Sequence, residues 1–149
     1  MSAAHVLPVD WKLDDGEIRA ELLEMVEQRF EPSVIDRLLN LGLTRDEVHS
    51  IVLPARTLQH RRSKKERLSV DESDKVIRLL RMLRLTEEVY GNLERALDWL
   101  RTPNPNLDPT LRNILFVVGG PTPMSLLKTG TGAWMVEELL GQISEGMFI

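Results

Sequence analysis

Cysteine is absent from this chain of 149 residues, and aromatic residues make up only 5% of it. Without a thiol, neither a disulfide framework nor a thiolate metal site can form, so a reducing compartment is expected. No stretch approaches the roughly 20 apolar residues that span a bilayer, and the first residues lack the basic and apolar blocks of a secretory signal. The sequence therefore predicts a cytoplasmic protein that makes no contact with a membrane.

Residues typical of catalytic or metal sites are also sparse. The spacing of the three histidines along the chain does not match that of metal ligands. Lys128 and Thr129 resemble the end of a phosphate-binding loop, but Leu127 stands where the required glycine belongs. The sequence at 130–132 lacks the third glycine of a dinucleotide-binding fingerprint. We predict no catalytic activity, no cofactor and no bound metal.

Charge is distributed unevenly along the chain, whose formal net charge is -4. Residues 54–67 carry six basic side chains and one acidic side chain, whereas residues 86–149 carry four basic and eight acidic ones. A dense cationic segment is typical of proteins that bind an anionic polymer such as DNA. The two halves are therefore predicted to bind different partners.

Apolar residues recur at helical spacing along most of the chain, and few strand signals remain, so the predicted fold class is all-α. A loose arm is expected at 1–15, followed by one domain at 16–85 and another at 86–149. Capping boxes at Thr44 with Glu47 and at Ser69 with Glu72 mark two helix starts. The predicted helices cover 16–30, 33–42, 45–52, 55–64, 69–83, 89–100, 111–118, a short helix from Thr122 that Gly130 stops, and a last one ending near Gly146.

The basic segment lies in the last of three short helices that are separated by tight turns, an arrangement that predicts a helix-turn-helix. Residues near the start of this last helix are predicted to reach base edges: Arg56, Thr57, Gln59 and His60. Residues further along are predicted to pair with phosphates: Arg61, Arg62, Lys64 and Lys65. From charge alone, a solvated basic face or a mobile linker is an equal alternative.

Several linked motifs resemble the Xre/MbcA/ParS family of antitoxins. In the first half they are Leu53-Pro54-Ala55-Arg56-Thr57-Leu58, Arg61-Arg62, Arg67-Leu68-Ser69, Glu72-Ser73-Asp74 and Arg78-Leu79. In the second half they are Val89-Tyr90-Gly91, Glu94-Arg95-Ala96, Trp99-Leu100, Pro103-Asn104-Pro105, Thr122-Pro123-Met124-Ser125-Leu126-Leu127, Thr129, Gly132 and residues 136–140. The chain departs from the family pattern at 108–118, an insertion between the Asn-Pro turn and the Thr-Pro segment.

The resemblance implies an N-terminal Xre-like helix-turn-helix domain, a small helical toxin-binding domain, and an antitoxin of a type II toxin-antitoxin system. Members of this family pair with RES-domain toxins, which degrade NAD, and they repress their own operon. Their C-terminal part covers the active-site entrance of the toxin. The expected partners are thus a RES-type toxin and operator DNA. We expect a homodimer within a larger toxin-antitoxin assembly, because paired helices read a two-fold operator.

The candidate toxin contacts lie near the C-terminus: Trp134, Met135, Glu138, Glu145, Met147, Phe148 and Ile149. We hypothesise that Met147 and Phe148 fill an apolar part of the toxin cleft, while Glu145 or the terminal carboxylate pairs with basic groups there. The alternative for the tail at 146–149 is that it folds back on its own core.

Two other functions remain open from the residues alone. One is a helix-turn-helix transcriptional regulator whose C-terminal half serves only dimerisation or ligand sensing. The other is a small hydrolase without a recognisable motif.

Overall fold

The computed structural model of the protein describes residues 16–107 and 121–146. Within these ranges every regular element is helical, as predicted, and the α-helices are Gly16–Gln28 (α1), Val34–Asn40 (α2), Arg45–Ile51 (α3), Ala55–Lys64 (α4), Val70–Tyr90 (α5), Leu93–Leu100 (α6), Pro123–Leu126 (α7) and Gly130–Ser144 (α8), with a 3-10 helix at Pro105–Leu107. None of these helices is long and apolar enough to cross a bilayer. The arm predicted at 1–15, the helix predicted at 111–118 and the tail residues Met147, Phe148 and Ile149 lie outside the described residues.

The helices belong to two compact units, Met1–Ile77 and Arg78–Ile149, and the division falls inside α5. The core of the first unit contains the fully buried side chains of Ile35, Leu38, Val48, Leu68 and Val76. The core of the second contains those of Leu79, Met82, Leu100, Leu127 and Val136. The predicted domain boundary at residue 85 lies in the same helix as this division and stays a prediction.

Both capping boxes that the sequence predicts are present. Thr44 Oγ1 accepts the Glu47 N–H at 3.1 Å, and Glu47 Oε1 accepts the Thr44 N–H at 2.8 Å. Ser69 and Glu72 make the same pair of bonds, at 3.0 and 2.8 Å. Since the first amides of a helix have no partner within it, these bonds fix the residues at which α3 and α5 begin.

The end of α5 differs from the prediction. The helix continues past Leu83 to Tyr90, because no residue between them breaks a helix, and it ends at Gly91, whose φ is +93°. Asn92 then starts α6, and its side chain accepts the Arg95 N–H at 2.8 Å. The apolar residue Val89, predicted to belong to the following helix, therefore lies in α5.

The start of α8 also differs from the prediction. Gly130, predicted to stop the short helix before it, is the first residue of α8, because Thr129 Oγ1 accepts the Gly132 N–H at 2.9 Å and so caps the new helix. Farther along, Glu137 of α8 pairs with Arg81 of α5: both guanidinium Nη atoms donate to its two oxygens, one of them at 2.8 Å. The cap and the ion pair fix α8 within the second unit.

Among the residues described, no three histidine, aspartate or glutamate side chains lie close enough together to hold a metal ion.

Candidate functional site

In the first unit, α3 and α4 form a helix-turn-helix. Only residues 52–54 separate the two helices, and Val52 and Leu53 in this turn are buried. Leu58 is the buried residue of α4, so one side of the helix is anchored and the other faces solvent. A short turn before a helix with one free face is the arrangement that places a recognition helix in the major groove of DNA.

Most of the predicted DNA-binding residues lie on the free side of α4. Thr57 and Arg61 are half-buried, whereas the remaining six are exposed: Arg56, Gln59, His60, Arg62, Lys64 and Lys65. Gln59 and His60 lie three and four positions after Arg56, so the three side chains share one face of the helix. The structure therefore brings three of the four predicted base-reading side chains together, near the start of α4.

The chain leaves α4 through a left-handed turn. Lys65 has a φ of 54°, its N–H donates to Arg62 O at 3.3 Å, and the Glu66 N–H donates to Arg61 O at 2.9 Å. This pair of bonds is a Schellman motif, in which glycine is more usual at the left-handed position. The turn places two of the predicted phosphate contacts, Lys64 and Lys65, at the exposed end of the helix.

Arg61 differs from its basic neighbours because two carboxylates hold its guanidinium, whereas among the described residues Arg62 pairs with Asp36 alone, at 3.3 Å and exposed to solvent. Its Nε and Nη2 donate to the two oxygens of Glu72, both at 3.2 Å, and its Nη1 donates to Glu66 at 3.2 Å. The hydrogen bond to Glu72 is the main reason why the pKa of Arg61 lies above its ordinary value. Burial by itself raises the pKa of Glu72, but hydrogen bonds from Arg61 and Ser69 outweigh burial and leave that pKa below its ordinary value. The phosphate contact predicted for Arg61 stays a prediction.

A second group of contacts joins the end of α1 to the start of α5, and the sequence analysis missed it. Arg29, in the left-handed region at a φ of 66°, donates from Nε to Leu68 O at 2.7 Å. The Leu68 N–H donates to Phe30 O at 2.8 Å, and the Phe30 N–H donates to the buried hydroxyl of Ser73 at 3.0 Å. About forty residues of chain separate the partners, so no local pattern signals these bonds.

In the second unit, the predicted toxin contacts that the structure describes lie on α8 and at its end. Trp134, Glu138 and Glu145 recur at helical spacing on one face, and all three are exposed, with Trp134 at 60%. The opposite face carries Val136 and Leu140, which are buried. An exposed tryptophan beside two carboxylates gives α8 an apolar and acidic outer face, unlike the cationic face of α4.

A groove of about 250 Å³ lies beside this face. It is lined by Asn106, Leu107, Met135, Glu138, Leu139 and Gln142. Met135 and Glu138, both predicted as toxin contacts, therefore border one cavity. Its lining is mixed, with three apolar side chains, two amides and the Glu138 carboxylate, so it suits a partner side chain that carries both apolar and basic groups.

Comparison with known proteins gives the family. Residues 21–81, which contain α2, α3 and α4, match the family model described as the antitoxin Xre-like helix-turn-helix domain. An antitoxin Xre of Pseudomonas putida is 30% identical over 126 residues, which cover 85% of this chain and 72% of the relative. An antitoxin Xre of Yersinia enterocolitica is 28% identical over 130 residues, which cover 85% of this chain and 80% of the relative. Because the similarity extends beyond the helix-turn-helix into the second unit, the chain belongs to the Xre family of antitoxins.

Proposed function

We propose that this antitoxin binds and inhibits a RES-domain toxin, an enzyme that degrades NAD, and represses its own operon by binding promoter DNA in the cytoplasm. The observation that carries the proposal is that two chemically unlike exposed surfaces lie on different units. One is the cationic side of α4, and the other is the aromatic and acidic face of α8. The cationic surface suits a polyanion, and the acidic surface suits a basic protein cleft.

On α4, we assign the base edges to Arg56, Thr57, Gln59 and His60, and the phosphates to Arg62, Lys64 and Lys65. Arginine and glutamine make paired hydrogen bonds to guanine and adenine in the major groove, which supports their place at the start of the helix. A homodimer would set two copies of α4 about 34 Å apart, which is one turn of DNA. We therefore expect the operator to have two-fold symmetry.

On the second unit, we assign the toxin interface to Trp134, Met135, Glu138 and Glu145. Burying the exposed Trp134 ring against the toxin would remove a large apolar surface from water, and tryptophan is enriched among residues that dominate binding energy. The tail residues Met147, Phe148 and Ile149 follow this interface in the chain, and we assign them to the active-site entrance of the toxin.

A chain that ends at Gly146 is expected to lose inhibition of the toxin, because it lacks the apolar residues assigned to the active-site entrance. Trp134→Ala is expected to weaken the toxin complex at least about tenfold, because it removes the largest exposed side chain of the interface. NAD consumption by the purified co-encoded enzyme, titrated with each variant, measures the first effect, and calorimetric titration measures the second.

Leu23→Ala is the matched control for this experiment. Leu23 is a large apolar residue, 61% exposed like Trp134, but it lies on α1 in the other unit, so its replacement should leave inhibition unchanged. Full inhibition by the truncated chain would reject the assignment of the tail. If the full chain neither inhibits nor binds the co-encoded enzyme, the protein is instead a regulator whose second unit serves dimerisation or ligand sensing.

A further inference from the structure

We propose that Arg61 is a positioning residue for DNA recognition, which orients α4 through its ion pair with Glu72 and does not contact a phosphate. The inference rests on the proposed placement of α4 in the major groove, and it reassigns one of the basic residues that the sequence predicted to bind the DNA backbone.

The geometry of the pair fixes an orientation as well as a distance. The Nε and Nη2 atoms of Arg61 lie 3.2 Å from the two oxygens of Glu72, which is the forked contact of two parallel hydrogen bonds. Arg61 is in the last turn of α4 and Glu72 in the first turn of α5. Glu72 is itself held in place, because its Oε1 also accepts the Ser69 N–H of the capping box. The end of α4 is thereby attached to a fixed point on α5.

The surroundings of Arg61 oppose a phosphate contact. Each of its three guanidinium nitrogens donates to a carboxylate, and the Glu72 side chain is only 12% exposed. If Arg61 turned towards DNA, it would leave this mostly buried carboxylate without its cation, which is strongly unfavourable. Glu66 and Glu72 would also repel a phosphate placed beside them. Lys64 and Lys65 are exposed, and no carboxylate in the described part of the chain pairs with either ammonium.

The attachment is important because α4 is otherwise weakly anchored. Leu58 is its one buried residue, and it lies in the first half of the helix. The ion pair at Arg61 therefore supplies a second, largely buried point of attachment near the other end, where Arg62 adds an exposed ion pair with Asp36. Base-reading side chains must be held within about 0.5 Å of their productive positions, whereas phosphate contacts tolerate more movement. Loss of the pair should reduce binding to the operator more than binding to unrelated DNA.

Two conservative variants separate positioning from phosphate contact. Glu72→Gln removes the ion pair but keeps the capping box, because glutamine also serves at that position. Arg61→Lys keeps the positive charge, which is enough for a phosphate, but a lysine ammonium cannot make the forked contact. Lys64→Gln on the same helix is the matched control for a lost phosphate contact. Fluorescence anisotropy with a duplex from the chain's own promoter and a scrambled duplex, at about 50–200 mM salt, measures affinity, specificity and salt dependence.

We expect Glu72→Gln and Arg61→Lys each to weaken operator binding about tenfold, with little change on scrambled DNA and an unchanged salt slope. The double variant should bind no more weakly than either single one, because both remove the same contact. Lys64→Gln should weaken binding to both duplexes and lower the salt slope by about 0.9. Circular dichroism at the assay temperature confirms that each variant is folded.

Three results would overturn the inference. Wild-type binding by Arg61→Lys would mean that only the charge of Arg61 is used. Stronger binding or a steeper salt slope for Glu72→Gln would mean that Glu72 withholds Arg61 from a phosphate. A lower melting temperature with unchanged operator binding would mean that the pair only stabilises the fold. If the wild-type chain does not distinguish its promoter from scrambled DNA, the proposed function itself fails, and the inference fails with it.

Discussion

Replacing Gly132 with alanine is expected to destabilise the second unit by on the order of 3 kcal/mol, the largest single effect that we predict on folding. A Cβ at this position would overlap the carbonyl oxygen of Leu126 and lie 2.9 Å from its carbonyl carbon. It would also lie 3.0 Å from Thr129 Oγ1, the atom that caps α8. Since the obstacle is mainly backbone, no side-chain rotation relieves the overlap, and α7 and α8 must move apart.

Gly141→Ala is the matched control, because Gly141 lies in the same helix and a Cβ there meets nothing within 4 Å. Alanine has the higher helix propensity, so this variant should be more stable than the wild type by about 0.5–1 kcal/mol. Urea denaturation followed by tryptophan fluorescence measures both effects. Equal stability of the two variants would contradict the close packing of α7 against α8.

The double replacement Arg56→Ala with Gln59→Ala is expected to reduce operator affinity at least about thirtyfold. Each residue is assigned a paired hydrogen bond to a base, and such a pair contributes about 1–3 kcal/mol of discrimination. Both side chains are exposed on α4, so the fold should not change. Gel-shift titrations with operator and scrambled duplexes would show the loss on the operator and a much smaller change on scrambled DNA.

Lys64→Gln combined with Lys65→Asn is the control for this second prediction. Asparagine is chosen at position 65 because it tolerates the left-handed conformation that Lys65 adopts. This variant should bind both duplexes more weakly and with a shallower salt dependence, since it loses phosphate contacts only. If the Arg56 and Gln59 variant shows the same uniform loss, these residues do not read bases.

Features that depend on neighbouring residues were predictable from the sequence. The capping boxes at Thr44 and Ser69 are present as predicted, because side chains within one turn of a helix end decide where it begins. The helix α4 also has its predicted bounds of 55–64, following Pro54, a residue that suits a helix start. The helical class followed from the apolar spacing. Gly91 and Asn92 are typical of a helix end and a helix start, but the apolar spacing from Val89 favoured one helix across both residues.

Features that depend on the folded chain were not predictable. The basic run at 54–67 gave no means of distinguishing Arg61 from Arg62, because the partner that distinguishes Arg61 is Glu72, eleven residues away on another helix. The bonds between Arg29 and Leu68 cross an even longer stretch of chain. Gly132 likewise shows its role only when Leu126 is brought against it. Sequence patterns place side chains on a helix face but do not show what lies opposite that face.

Measuring toxin inhibition and operator binding side by side, for two variants of one chain, tests the central claim most directly. The Arg56→Ala and Gln59→Ala variant should inhibit the co-encoded enzyme fully and lose operator binding. The chain that ends at Gly146 should bind the operator as the wild type does and fail to inhibit. The assignment of separate surfaces to DNA and toxin is wrong if either variant loses both activities while remaining folded. It is also wrong if the truncated chain still inhibits and the α4 variant still binds its promoter.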